Sequence, residues 1–146
     1  MPVITGHIGI NVTDLDRSRD FYSAVLGLHL VGGSSEAPRR YAFLGDGERL
    51  VLTLWEQSRG RFDRAAPGLH HLSFQVASAG EVRAAEELLR ALGANFTYDG
   101  IVPHAEGASS GGIFFEDPDG TRLEIFAAAG IQGEAPTADG PSCGFF

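Results

Sequence analysis

The sequence predicts an α+β fold of two pseudo-symmetric βαβββ modules, and three observations carry that expectation. First, the chain repeats itself: His7-Ile-Gly-Ile-Asn-Val returns as His71-Leu-Ser-Phe-Gln-Val at an offset of 64, and Asp46-Gly47-Glu48-Arg49-Leu50 returns as Asp119-Gly120-Thr121-Arg122-Leu123 at an offset of 73. Second, both copies place a strand-like alternation, then a helical spacing of apolar residues, then three further strand-like runs. Third, helix caps and stops fall at matching places in the two copies.

Taken in order, Val3 to Val12 alternates as a strand, and Thr13-Asp14-Leu15-Asp16 offers side-chain oxygens to cap a helix. Leu15, Phe21, Tyr22, Val25 and Leu26 recur near helical spacing, and Gly27 can adopt the left-handed conformation that ends it. Strands are expected at 28–32, 39–44 and 49–55, which completes module one at 3–56. The polar, Arg-bearing stretch 57–67 reads as a linker. Module two, 68–127, opens with a strand at 70–76. Ser78 with Glu81 forms a capping box for a helix running to about Leu92, and Gly93 stops it. Strands are expected near 95–99, 112–116 and 121–127. Residues 1–127 are therefore expected to form a single domain, followed by a tail, 128–146, rich in Ala, Gly, Pro and Thr. That composition cannot build its own core, so the tail is expected to be mobile or docked through Phe145 and Phe146.

Composition removes several classes of function. With 146 residues and 43% hydrophobic content the chain can bury a core. Its 19 acidic against 11 basic residues give a net charge of −8, which repels phosphate backbones, so no nucleic-acid partner is expected. All basic residues are arginine; without lysine, Schiff-base chemistry and a Walker-type phosphate lysine are absent. Cys143 is the only cysteine, which rules out an internal disulfide and a four-thiolate zinc site. No apolar run is long enough to span a bilayer and no basic-then-apolar leader is evident, so a cytoplasmic protein without membrane association is expected.

The chemistry gathers at the repeat. His7 and His71 open equivalent strands, and Glu124 stands alone between Leu123 and Ile125 in an apolar strand. Burying an unpaired carboxylate costs several kcal/mol, roughly, and a metal ion removes that cost. Two imidazoles and one carboxylate make a metal-site composition, with His7, His71 and Glu124 as the expected ligands. An offset of 73 puts Val51 opposite Glu124, so the repeat offers no fourth ligand. Glu56 is one residue out of phase with Val51, Thr53 and Trp55, and a bulge would be needed to turn it inward as a catalytic group. His70 is expected to point away from His71. His104, in a Gly- and Ser-rich loop, is the candidate acid or base. Trp55, Tyr41, Phe114 and Thr53 are the expected substrate-pocket lining. Gly107-Ala-Ser-Ser-Gly111 fits a nucleophile-elbow pattern, but a strand rather than a helix follows it.

Asp14-Leu-Asp-Arg-Ser-Arg-Asp-Phe-Tyr-Ser-Ala-Val-Leu-Gly-Leu, together with Phe115-Glu-Asp-Pro-Asp-Gly-Thr-Arg-Leu-Glu124, resembles the vicinal oxygen chelate superfamily, also called the glyoxalase/bleomycin resistance protein/extradiol dioxygenase superfamily. The resemblance covers residues 3 to 127. It implies paired modules forming a cupped mixed sheet around a metal cleft, exchanged in many members across a homodimer, and it matches His7, His71 and Glu124 to the family's ligands. It implies a divalent metal ion, Fe(II), Mn(II), Zn(II) or Ni(II), and a small-molecule substrate with adjacent oxygens, aromatic ones included. A dioxygenase-like activity is the leading expectation, with His104 moving the proton. A glyoxalase-type lyase or isomerase, and a non-catalytic protein that binds an aromatic natural product, are the alternatives.

Overall fold

The computed structural model describes residues 1–137 and 139–144 and divides into two compact units, Met1–Phe62 and Asp63–Phe146. The division falls inside the expected linker 57–67.

In the first unit the order is β1 (Ile8–Asn11), α1 (Leu15–Leu26), β2 (His29–Ser34), β3 (Tyr41–Gly45) and β4 (Leu50–Trp55). Asp14 caps α1 by accepting the Arg17 N–H at 3.0 Å, and Gly27 ends it at φ 65°. The strands form a sheet of order β1-β4-β3-β2, with β1 parallel to β4 and the other neighbours antiparallel. Register places Ile10, Leu52, Leu54, Ala42 and Leu44 on one face, where they are buried together with Leu15 and Tyr22 of α1. Each such large side chain contributes about 1.5–3 kcal/mol by leaving water. The other face carries Gly9, Asn11, Thr53, Trp55, Tyr41 and Phe43.

The second unit repeats the plan with β5 (Leu72–Val76), α2 (Ala79–Ala91), β6 (Val102–Pro103), β7 (Gly111–Glu116) and β8 (Arg122–Ala127), in sheet order β5-β8-β7-β6. The capping box forms as expected, Ser78 Oγ accepting from Glu81 N and the Glu81 carboxylate from Ser78 N. Leu72, Leu123, Ile125, Ile113 and Phe115 are buried on one face with Val82 and Leu89 of α2. Ser73, Gln75, Glu124, Phe126, Phe114 and Gly112 share the opposite face.

The strand expected at 95–99 is reduced to an isolated bridge, Phe96 to Phe115, and the pairing strand is β6. Gly100, at φ 86°, turns the chain between them. Residues 3–7 lie outside β1. The segment after β8 is docked in its described part: Ile131 is buried and donates its N–H to Ser109 O at 2.9 Å, and Ser142 is fully buried. Phe145 and Phe146, the expected anchors, lie outside the described residues. Among the described residues no helix is long and apolar enough to cross a membrane.

The strand ladders also correct the repeat. Leu52 pairs with Ile8 as Leu123 pairs with Leu72, and Phe43 pairs with Thr53 as Phe114 pairs with Glu124. β3 and β4 therefore map onto β7 and β8 with an offset of 71, not the 73 of the Asp-Gly motif. The pair also carries a bulge that the second unit lacks: Leu44 opposes Leu52 while Gly45 opposes Leu50, which leaves Val51 as an extra residue in β4. Thr53, not Val51, stands where the second unit has Glu124, and Phe43, not Tyr41, answers Phe114.

Candidate active site

Glu124 is the centre of the second unit's open sheet face. It lies on β8, between β5 and β7, and is only 2% exposed. The neighbour across β5 is Ser73, whose hydroxyl donates to Oε2 at 2.6 Å. Oε1 meets His104 Nε2 at 2.5 Å. His104 directly follows β6, and its ring is held at the other nitrogen by Ser110 Oγ, 3.0 Å from Nδ1. The buried carboxylate thus has partners at both oxygens, which offsets the desolvation that an isolated charge would suffer. Phe126 lies against the His104 ring at 5.2 Å between centroids. Phe114 is fully buried, edge-on to Tyr98 at 5.3 Å and 6.5 Å from the His104 ring, so it supports that ring instead of offering a free face to a ligand.

His71 Nε2 lies 3.7 Å from Glu124 Oε2. That is too long for a hydrogen bond, yet within the about 4.2 Å that two metal–ligand bonds of about 2.1 Å span end to end. His71 Nδ1 meets His70 Nδ1 at 2.8 Å, so one ring donates and the other accepts. Burial holds the His71 imidazole below its ordinary pKa, with Glu124 opposing that shift. His70 was expected to point away; β5 begins only at Leu72, so strand alternation does not govern the His70–His71 step. The His70 carbonyl also accepts from Arg122 Nε at 2.9 Å. A neutral, oriented imidazole beside a buried carboxylate fits a nitrogen–oxygen donor set for a divalent ion. Among the described residues no group of three or more His, Cys, Asp or Glu is assembled for a metal ion. His7 is exposed, in the first unit, one residue ahead of β1.

The equivalent face of the first unit has no carboxylate. Thr53 is buried, and its hydroxyl accepts the Trp55 indole N–H at 3.0 Å. Tyr41 stacks on Trp55 at 5.2 Å and 20°, and Phe43 closes on the indole edge at 5.9 Å, the three rings remaining partly exposed. Glu56 is not on this face. Its Oε2 accepts from the Leu15 N–H at 2.7 Å and from Arg40 Nη1 at 2.8 Å, so the carboxylate anchors the first turn of α1. The bulge that would have turned it inward lies at Val51 instead.

Ser73, Ser110, His70 and Phe126 complete the cluster, and sequence reasoning missed them. Alternation with Gln75 along β5 marks Ser73 for the face of Glu124, but nothing local joins His104 and its partner Ser110 to a carboxylate in β8. Cys143 lies close enough to Glu124 for that charge to add to burial in raising its thiol pKa.

Residues 4–125 match the family described as the Glyoxalase/Bleomycin resistance protein/Dioxygenase superfamily. A lactoylglutathione lyase of Haemophilus influenzae is 35% identical over 127 residues, covering 82% of this chain and 88% of the relative. A catechol-2,3-dioxygenase of Bacillus subtilis is 26% identical over 124 residues; the match covers 84% of this chain but only 40% of that relative's length. The crystal structure of a glyoxylase/bleomycin resistance protein/dioxygenase domain from Frankia sp. EAN1pec shares the fold with a TM-score of 0.72 at 28% identity, covering 87% of this chain and 98% of the other.

Proposed function

Because the chain belongs to the Glyoxalase/Bleomycin resistance protein/Dioxygenase superfamily, we propose that it is a divalent-metal-dependent enzyme acting on a small organic substrate with adjacent oxygens, dioxygenase-like in its chemistry. The observation that carries the reading is the approach of His104 to Glu124, which couples a proton-carrying imidazole to a buried carboxylate. His7, His71 and Glu124 are the proposed ligands of Fe(II), Mn(II), Zn(II) or Ni(II), and the bound ion would supply Lewis-acid polarisation of the substrate oxygens. With Nε2–H donating to Glu124, His104 Nδ1 is the acceptor position. The Ser110 hydroxyl beside it is the route by which a substrate proton reaches the ring. Phe126 lies against that ring and limits its contact with water.

The first unit has Thr53 at the register position of Glu124 and so adds no carboxylate as a fourth ligand to the proposed set, which sets this reading ahead of a glyoxalase-type lyase. A second reading, sequestration of an aromatic compound without turnover, draws on the partly exposed Tyr41–Trp55 stack. The proposed setting is a cytoplasmic homodimer, to be tested by light scattering.

Metal analysis of anaerobically purified protein, followed by catechol and hemithioacetal assays, separates the readings. Metal with catechol turnover is expected, and His104→Gln should lower that turnover by about 10²–10⁴. Metal-free protein that binds aromatics and turns over neither substrate would replace the enzyme reading with the binding one.

A further inference from the structure

We propose that Ser142 is a positioning residue for His104, and that the segment around it is a strap on which the imidazole–carboxylate contact depends. The role deepens the proposed proton-carrying function of His104 and rests on it.

β6 is only two residues long and lies at the edge of its sheet, paired on one side alone. So short an edge strand holds weakly by itself, yet it delivers His104 to Glu124. The strap supplies what the ladder lacks. Ser142 N–H donates to His104 O at 2.8 Å, and Ser142 Oγ donates to Pro103 O at 2.6 Å. The strap is fixed in turn by the Tyr98 hydroxyl, which donates to Ser142 O at 2.7 Å, while the Tyr98 ring packs edge-on against Phe114.

His104 is consequently gripped at every polar atom. Its N–H donates to Ser110 O at 2.9 Å, its carbonyl accepts from Ser142, its Nδ1 meets Ser110 Oγ and its Nε2 meets Glu124. Only the carbonyl contact comes from outside the 104–110 loop and the sheet. Ser142 is fully buried, so these bonds are shielded from competing water. The next residue, Cys143, is the only cysteine in the chain and provides a built-in reporter of strap docking.

The test compares wild type with Ser142→Ala and Tyr98→Phe, all metal-free and substrate-free. Two signals are read: the rate at which a thiol reagent modifies Cys143, and the His104 ring resonances, assigned by their loss in His104→Gln. Losing one buried hydrogen bond should speed Cys143 modification by about tenfold. It should also shift the His104 resonances and expose its Nε2 proton to exchange, leaving those of His29 unmoved. Faster modification with unchanged His104 resonances would reduce the strap to a cover and overturn the positioning role. No change in either signal would overturn the strap itself. If Ser142→Ala does not fold, Tyr98→Phe decides, since it deletes only a hydroxyl and keeps the ring. Both signals are independent of turnover, so a chain inactive on catechol with an intact strap response defeats the proposed activity and leaves this inference standing.

Discussion

The two units have one topology and opposite chemistry on equivalent sheet faces. In the second, Glu124 is buried and shared among Ser73, His104 and, at longer range, His71. In the first, the same register position is Thr53, whose hydroxyl serves the Trp55 indole, and the surrounding face is aromatic. The contrast shows which parts of a duplicated module are constrained. The helix-facing residues stay apolar in both copies because each sheet must bury one face against its helix. The opposite face is free to diverge, one copy toward ionisable groups and the other toward rings that suit a planar ligand.

Transplanting the carboxylate should break this asymmetry most severely. Thr53→Glu in metal-free protein places a charge at a 2% exposed position with no histidine of the His104 kind on its ladder. A loss of about 3–5 kcal/mol is expected in urea unfolding; an undiminished midpoint would mean that the two faces are electrostatically alike. Next in size, Glu124→Gln should lower divalent-ion affinity beyond the about 10–100-fold typical of losing an outer partner, read by calorimetric titration with Mn(II) or Zn(II). Unchanged affinity would remove Glu124 from the ligand set, whereas Thr53→Ala serves as the control that keeps it. The smallest effect belongs to Ser73→Ala, which takes one donor from the Glu124 carboxylate and should cost about 1.5 kcal/mol. A neutral result there would show that water replaces the hydroxyl and that the carboxylate is less enclosed than its exposure implies.

How the two faces are built was only partly legible in the chain. Glu124 was readable as a lone carboxylate because its apolar neighbourhood is a local signal, whereas His71 lies one residue ahead of β5, where alternation does not fix its direction. His104 was readable as a residue type in a polar loop, but not as a partner of Glu124, twenty positions away. The Asp-Gly motif misled the repeat by two residues. Asp46 caps its own turn by accepting from Glu48 N and Arg49 N, while Asp117, not Asp119, does this work in the other copy by accepting from Asp119 N and Thr121 N. The similar letters therefore sit at different steps of the two turns.

By itself the sequence determined the βαβββ order, the Asp14 and Ser78 caps, the Gly27 stop and the apolar faces. These depend on side chains acting on backbone within one turn, or on periodicity along a single element. Tertiary structure decided the bulge at Val51, the meeting of His104 with Glu124, the anchoring of α1 by Glu56 and the docking of Ser142 on β6. Those choices join segments far apart in the chain, where register and edge pairing are set by which complete arrangement buries the apolar faces while leaving each buried polar group a partner.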